Sequence, residues 1–177
     1  MTRSPLFGIT GWKNSGKTTL TERLLAELTG RGLAVATVKH AHHGFDVDKE
    51  GTDSFRHRKA GACEVAIVSA RRWALMHELA GAEEPRLEDI LARLSPVDLV
   101  LIEGYKREAH PKLELRRLQS KSQEPLTAGV ANIVAIAADY AVEEGALPVF
   151  DLDDVPAIAD FILGYLKIGA PRAAKAS

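Results

Sequence analysis

The stretch from Gly8 to Leu25, GITGWKNSGKTTLTERLL, decides the fold prediction. Within it, residues 11–18 (GWKNSGKT) match the phosphate-binding pattern G-x-x-x-x-G-K-[S/T]. The apolar run from Leu6 to Thr10 predicts a buried strand before the pattern, and the leucine spacing from Thr18 to Leu28 predicts an amphipathic helix after it. A glycine-rich turn between a strand and a helix can hold a phosphate with backbone N–H groups. The sequence therefore predicts a P-loop.

The residue types in this loop suit nucleotide phosphates and a magnesium ion. The Lys17 ammonium can reach the β- and γ-phosphates, and the Thr18 hydroxyl can ligate Mg²⁺. Lys13 is either a second phosphate contact or a solvated charge, and Trp12 is expected to pack or to form a lid.

The rest of the chain alternates between predicted strands and helices, which is typical of an α/β protein with a mainly parallel sheet. Further strands are predicted at 34–39, 63–69, 97–102, 133–137 and 149–152, and helices at 54–60, 87–94 and 156–167. Residues 72–78 are predicted to pair with 63–69, and 112–118 (KLELRRL) alternates like an exposed strand or ribbon.

These elements predict a P-loop NTPase-like three-layer fold with a mainly parallel central sheet and a small β-ribbon extension. Residues 1–168 are expected to form a single nucleotide-binding domain. Residues 169–177, rich in Ala, Lys and Arg, are expected to form a flexible C-terminal tail.

Composition narrows the class of protein. The 177 residues include 23 basic and 24 acidic side chains, a balance that argues against a general nucleic-acid or membrane-surface binder. One cysteine excludes an internal disulfide, and no apolar run approaches the roughly 18 residues needed to cross a bilayer. A cytoplasmic location is the expectation.

Glu103 is the candidate second carboxylate of a magnesium site. It follows the apolar strand 97–102 directly, so its side chain should lie at the carboxyl edge of the sheet, where ligands bind. It could hold Mg²⁺ through water or orient a nucleophile, and Gly104 lets the backbone pass close to a phosphate; the alternative is a surface charge. Asp98 should lie at the opposite end of the strand.

The segment after the second strand, 39–62, is rich in histidine and aspartate. One hypothesis is a transition-metal site built from His40, His42 and His43. The other is a switch-like loop in which Lys39 approaches the phosphates and an aspartate holds Mg²⁺ or orients water; the candidates are Asp46, Asp48 and Asp53. Asp53 could instead cap the following helix.

Asp139 is the candidate reader of the base. A carboxylate can accept hydrogen bonds from guanine N1–H and the 2-amino group, and Asp139 follows a late strand. The residues before it are Ala137 and Ala138 rather than the usual guanine-reading [N/T]-K-x-D, so a role as a loop or cap residue is equally open.

Several stretches together resemble the molybdopterin-guanine dinucleotide biosynthesis protein B (MobB) family. The resemblance runs from about Leu6 to Leu166 and rests on GITGWKNSGKTTLTERLL, TVKHAHHGFDVDKEGTDS, the RKAGA turn, LVLIEGYK and LPVFDLDD. The combination of VKH-x-HH, the downstream DS and EGYK is more specific than the P-loop.

The resemblance implies a cytoplasmic, homodimeric P-loop protein that binds GTP with Mg²⁺ and hydrolyses it slowly. It would assist the molybdopterin guanylyltransferase in forming the guanine dinucleotide of the molybdenum cofactor, with the ribbon at 112–118 serving dimerisation. By motif position, the implied phosphate-binding residues are Gly11, Asn14, Ser15, Gly16, Lys17, Thr18 and Thr19, followed by Glu103 and Gly104 of the second loop.

Three other functions stay open. A small-molecule kinase could use Arg71–Arg72 or Arg116–Arg117 as lid arginines. A nickel-type metal-insertion GTPase would use the three histidines, and in an adaptor the nucleotide would be only structural. Whether the chain is an enzyme at all is open; a weak GTPase acting as an accessory protein is the expectation.

Overall fold

The computed structural model describes residues 4–41, 44–143 and 145–169. His42 and His43 of the metal-site hypothesis, and residues 170–177 of the expected tail, lie outside these ranges. The chain forms two compact units, one from the residues up to His40 and from Leu94 onward, the other from Ala41 to Arg93. The expectation of a single nucleotide-binding domain over 1–168 stays a prediction.

The described residues form eight strands, four α-helices and one short 3₁₀ helix. In chain order they are β1 (Leu6–Gly11), α1 (Lys17–Gly30), β2 (Val35–Lys39), α2 (Asp53–Lys59), β3 (Glu64–Val68), β4 (Trp73–His77), α3 (Leu87–Leu91), β5 (Leu99–Glu103), β6 (Lys112–Arg116), the 3₁₀ helix (Leu126–Ala128), β7 (Ile133–Ala138), β8 (Val149–Asp151) and α4 (Val155–Leu166).

Six strands of the first unit form one sheet in the order β2-β5-β1-β6-β7-β8. All neighbouring pairs are parallel, so the carboxyl ends of the strands meet at one edge. In the second unit β3 and β4 pair as an antiparallel ribbon. The predicted α/β class, the mainly parallel sheet and the small ribbon are therefore confirmed.

The apolar core lies between one face of this sheet and the two longest helices. Leu20, Leu24 and Leu28 of α1, spaced four residues apart, are buried there together with Phe7 and Ile9 of β1. The helix α4 buries Ile158, Ala159 and Ile162 in the same cluster. Burial of this face fixes α1, and hence the loop before it, against the carboxyl edge of the sheet.

Strand β6 corrects the prediction of an exposed ribbon at 112–118. It pairs with β1 on one side and β7 on the other, and all five of its residues are buried. The Lys112 ammonium donates hydrogen bonds to the backbone oxygens of Glu108, His110 and Ala131. The Arg116 guanidinium pairs with the Glu114 carboxylate at 2.9 Å. The polar side chains of β6 are therefore paired inside the protein and do not face water.

The two-stranded ribbon of the described residues is β3–β4, not 112–118. The dimerisation role that the resemblance implies for 112–118 stays a prediction. In the second unit Arg58 pairs with Asp46 at 2.8 Å, with Asp48 at 2.6 Å and with Glu78 at 3.0 Å. Hydrogen bonding to Arg58 lowers the pKa of Asp48, which stays ionised.

Within the described ranges, no helix is both long enough and apolar enough to cross a membrane.

Candidate nucleotide-binding site

The turn between β1 and α1 has the backbone that a phosphate cradle requires. Gly16 adopts a left-handed conformation with φ of 85°, and Asn14, a residue type that tolerates this region, has φ of 66°. A Cβ on Gly11 would lie 2.4 Å from Ser15 Oγ and 2.8 Å from the backbone oxygen of Leu115. Both glycines of the P-loop pattern therefore have a steric or backbone reason in this chain.

The amino end of α1 offers donors to an anion. The helix begins at Lys17 with glycine at its N-cap and no acid in its first turn, so its first N–H groups are free of side-chain caps. The Ser15 hydroxyl is buried and has no hydrogen-bond partner among the described residues. Both features fit a phosphate group, which accepts several hydrogen bonds.

Lys17 lies across the loop. Its ammonium donates to the backbone oxygens of Trp12 at 2.7 Å and of Gly11 at 3.2 Å. Burial lowers the pKa of Lys17, the nearby Glu103 carboxylate raises it, and the positive charges of Lys106 and Lys39 lower it further. A bound phosphate would offset the cost of burying the Lys17 charge and its repulsion from Lys106 and Lys39, because it supplies negative charge beside them.

Thr18 and Glu103 meet at the edge of the sheet, as predicted. Thr18 Oγ1 donates to Glu103 Oε1 at 3.1 Å and lies 3.3 Å from Oε2. Two perpendicular ligands of Mg²⁺, each about 2.0–2.1 Å from the ion, lie about 2.9 Å from each other. The spacing of the two oxygen groups is therefore close to that of neighbouring magnesium ligands.

Lys39 supplies a positive charge at the same place. Its ammonium lies 3.2 Å from Glu103 Oε1 and 3.3 Å from Thr18 Oγ1. Lys39 is in register with Glu103 across the parallel strands β2 and β5, which is why the two side chains meet. The predicted approach of Lys39 to the phosphate end of the site is supported by this geometry.

The EGYK turn after β5 brings a further cation to the loop. Gly104 and Tyr105 have consecutive positive φ values of 97° and 47°, and a Cβ on Gly104 would lie 3.0 Å from His40 Cβ. The turn places the Lys106 ammonium 4.7 Å from the centre of the Trp12 ring. Burial lowers the pKa of Lys106. Our sequence analysis missed Lys106, although its place in EGYK was a usable signal.

Asp139 lies at the end of β7 with both carboxylate oxygens engaged. Oδ1 accepts a hydrogen bond from the backbone N–H of Leu118 at 3.0 Å, and Oδ2 accepts one from Arg117 Nε at 3.3 Å. From the sequence, Arg117 is predicted only as a lid arginine of a kinase. Nothing in the pattern around Arg117 indicates this contact, because β6 was not recognised as a neighbour of β7.

Three other residues named from the sequence lie at different places in the structure. Asp98 accepts a hydrogen bond from the backbone N–H of Ala34, at the opposite end of β5 from Glu103, as predicted. Thr19 is exposed on the first turn of α1. Asp53 begins α2 next to Thr52, the N-cap residue.

The metal hypothesis gains no support from the described residues, among which no three His, Cys, Asp or Glu side chains could hold an ion together. The His40 ring packs against that of Tyr105 at an angle of 39°, with ring centres 4.8 Å apart. His42 and His43 lie outside the described ranges.

Comparison with known proteins decides the family. The family model described as "Molybdopterin guanine dinucleotide synthesis protein B" (MobB) matches residues 6–139. The chain belongs to the MobB family. The molybdopterin-guanine dinucleotide biosynthesis adapter proteins of Haemophilus influenzae and Escherichia coli are 41% and 36% identical to it. The alignments cover 92% of this chain and 89% of the first relative, and 94% and 95% for the second.

Solved MobB structures share the fold as well. The crystal structure of Bacillus subtilis MobB matches with a TM-score of 0.74 at 32% identity, over 92% of this chain and 98% of that chain. The MobB homolog from Bacillus stearothermophilus matches with a TM-score of 0.68 at 32% identity, over 92% and 97%. The α/β fold with its ribbon is therefore the MobB fold.

Proposed function

We propose that this chain is a GTP- and Mg²⁺-binding adapter in the formation of molybdopterin guanine dinucleotide. The observation that carries the proposal is the meeting of Thr18 and Glu103, 3.1 Å apart, beside a P-loop in a MobB-family chain. A nucleotide-binding loop alone fits many proteins. The oxygens of Thr18 and Glu103 add a site for the Mg²⁺ that normally accompanies a nucleoside triphosphate.

Binding of the triphosphate uses groups that the loop already orients. The N–H groups at the start of α1 and the Ser15 hydroxyl would donate to phosphate oxygens, and the Lys17 ammonium would turn from the backbone oxygens to the phosphates. Thr18 and Glu103 would hold the Mg²⁺, whose positive charge neutralises the phosphates. Asn14 and Thr19 complete the proposed loop contacts, and Gly104 leaves room for the backbone beside them.

Hydrolysis is proposed to be slow. The two carboxylates of the site, Glu103 and Asp139, are each engaged by a cation, Lys39 and Arg117 respectively. Neither carboxylate is therefore placed to accept a proton from an attacking water as a general base. Positioning and charge neutralisation by Lys17 are the catalytic contributions that this arrangement offers.

The partner in this proposal is the molybdopterin guanylyltransferase, which joins GMP to molybdopterin. The test is reconstitution: the rate of dinucleotide formation is measured with purified guanylyltransferase, molybdopterin, GTP and this protein. The wild type is expected to raise the rate at limiting GTP, and Lys17→Ala to abolish the increase. Lys13→Ala, which removes the same charge from an exposed position of the same loop, is the matched control and should retain most of it. Equal stimulation by wild type and Lys17→Ala would contradict a nucleotide-dependent role.

A kinase is the second candidate, because a cavity of about 190 Å³ lies beside Thr18 and Glu103 between α1 and β2. Its walls include the apolar residues Leu25, Val38 and Leu101. A kinase would release nucleoside diphosphate only when an acceptor is present. Slow release without any acceptor favours the adapter proposal, and release that requires an added acceptor favours the kinase.

A further inference from the structure

Arg117 contacts both the phosphate loop and the proposed base reader. Its Nη1 and Cδ atoms lie 3.1 and 3.4 Å from the position that a Cβ on Gly16 would occupy. Its Nε donates to Asp139 Oδ2 at 3.3 Å. The side chains of Arg117 and Asp139 are 37% and 31% exposed, so a ligand can reach both. One guanidinium therefore links the place where phosphate would bind to the place where a base would be read.

The backbone of Arg117 is fixed in the loop that follows β6. Its carbonyl oxygen accepts hydrogen bonds from the N–H and hydroxyl of Ser120 at 3.0 and 2.8 Å, and from Gln123 Nε2 at 3.2 Å. The next residue, Leu118, donates its N–H to the other oxygen of Asp139. Arg117 and Leu118 together hold both oxygens of that carboxylate.

The same loop is attached to the P-loop at two further points. The N–H of Lys121 donates to the backbone oxygen of Lys13 at 3.0 Å, and the Trp12 indole N–H donates to the backbone oxygen of Glu124 at 2.7 Å. The loop from 117 to 124 therefore has its position set by the P-loop on one side and by Asp139 on the other.

We propose that Arg117 is a specificity-determining residue that orients Asp139 toward the guanine edge. The inference rests on the proposed function, since it assumes that the ligand is a guanine nucleotide. An ionised carboxylate has about four lone-pair sites, and Leu118 and Arg117 occupy one on each oxygen. One site on each oxygen stays available for guanine N1–H and the 2-amino group. The Arg117 Nε–H that holds Oδ2 belongs to a flat, rigid guanidinium, whose geometry an ammonium does not reproduce.

A simpler role is that Arg117 contributes only positive charge to the phosphate site. The two roles differ in which ligand they affect. Charge alone strengthens every polyphosphate equally and survives replacement by lysine. Orientation of Asp139 acts only on the base, and lysine cannot replace the planar guanidinium.

The test measures Kd by competition for three ligands: GTP, ATP and inorganic tripolyphosphate. The proteins are wild type, Arg117→Lys, Arg117→Gln and the control Arg107→Lys, whose side chain is exposed. For both Arg117 variants we expect GTP affinity to fall about tenfold or more, as the loss of a charge-assisted hydrogen bond predicts. In Arg117→Lys, which keeps the positive charge, the affinity for tripolyphosphate should change less than about twofold, and in both variants the ratio of GTP to ATP affinity should collapse. Thermal unfolding of each variant verifies that it is folded.

Two results would overturn the role proposed for Arg117 without contradicting GTP binding by the wild type. Equal loss for all three ligands in Arg117→Gln, with recovery in Arg117→Lys, would reduce Arg117 to a phosphate charge. Unchanged binding in both variants would remove it from the site. If the wild type itself binds GTP no better than ATP, the proposed function fails, and the role of Arg117 in guanine selection fails with it.

Discussion

Glu103 illustrates at the residue scale how the end of a strand sets the chemistry of the site. Its carboxylate is 12% exposed and contacts the Thr18 hydroxyl and the Lys39 ammonium. Lys39 ends β2 beside Glu103 at this sheet edge, and Thr18 lies in the first turn of α1. The position of Glu103 was predictable from sequence, because the carboxyl ends of parallel strands converge. The contact with Lys39 needed the pairing of β2 with β5, which no local pattern indicates.

Replacement of Glu103 by glutamine tests the magnesium site. The variant keeps the shape of the side chain but loses the charge that favours a divalent cation. We expect the gain in GTP affinity on adding Mg²⁺ to fall by about tenfold, while affinity without Mg²⁺ changes little. Calorimetric titrations with and without Mg²⁺ measure both values. An unchanged Mg²⁺ effect would mean that Glu103 does not hold the ion.

Replacement of Asp139 by asparagine tests the base reader. An amide can accept from the N1–H of xanthine and donate to its 2-oxo group, but it cannot accept from the 2-amino group of guanine. We expect affinity for GTP to fall and affinity for xanthosine triphosphate to rise, each by about tenfold or more. Competition binding with the two nucleotides measures this exchange. A parallel loss for both nucleotides would indicate damage to the site instead of a change in base recognition.

Strand β6 is the element that sequence reasoning misjudged most. The strand β1, the helix α1 and the antiparallel pair of β3 with β4 were predicted close to their observed bounds, because their apolar spacing is regular. In β6 the alternation of Lys112, Glu114 and Arg116 predicts a solvent-facing strand, yet Lys112 and Glu114 are fully buried. Opposite charges two residues apart on one face of a strand were a usable signal of an internal pair.

Removal of Arg116 should be costly for that reason. Its side chain is 7% exposed and that of Glu114 is fully buried. Arg116→Met leaves the Glu114 carboxylate without this buried partner, and we expect a loss of about 3–5 kcal/mol in the free energy of unfolding. The double variant Glu114→Gln with Arg116→Met should recover part of the loss. Urea denaturation measures all three proteins; a loss under about 1 kcal/mol in the single variant would contradict the buried pair.

At the scale of the molecule, the chain divides into two compact units. The first carries every proposed nucleotide contact, and the second carries the β3–β4 ribbon. The sequence indicated the P-loop, Glu103, Asp139 and the ribbon from local patterns. It could not indicate Arg117, whose role depends on which strands are neighbours. It also could not show that Asp46 and Asp48 bind Arg58 in the second unit.

One face of the ribbon predicts self-association. Val68 and Trp73 are directly paired across the strands, and both are more than two-thirds exposed. Leu75 lies on the same face, two residues from Trp73. We expect a homodimer whose dissociation constant rises at least tenfold in Trp73→Asp, because a charge would be buried there. Sedimentation velocity over a concentration series measures this. The control is Leu79→Asp, outside both strands; equal effects of the two changes would argue against the ribbon.

The stability of the whole protein should depend on His110. The imidazole is 7% exposed, lies beside Lys112, and has no partner for either ring nitrogen among the described residues. Burial, aided by the Lys112 charge, lowers the pKa of His110 to about 4, against an ordinary value of 6.5. The folded state therefore binds fewer protons than the unfolded state between these values, and stability is full above pH 6.5 and lost as pH falls toward 4.

We expect the loss across this window to be on the order of 3 kcal/mol. His110→Leu should lack that part of the pH dependence, and the exposed His57→Gln should keep it. Chemical denaturation at several pH values between 7 and 4 measures the difference between each variant and the wild type. A difference for His110→Leu that stays constant across the window would contradict a neutral, buried His110.

The central claim is that the P-loop of this chain selects GTP, and direct calorimetric titration with GTP and ATP in the presence of Mg²⁺ tests it best. The account predicts saturable binding of one GTP per chain, clearly tighter than ATP, in the wild type and in Lys13→Ala. It predicts no measurable binding in Lys17→Ala. Equal or tighter binding of ATP, or unchanged GTP binding by Lys17→Ala, would contradict the claim.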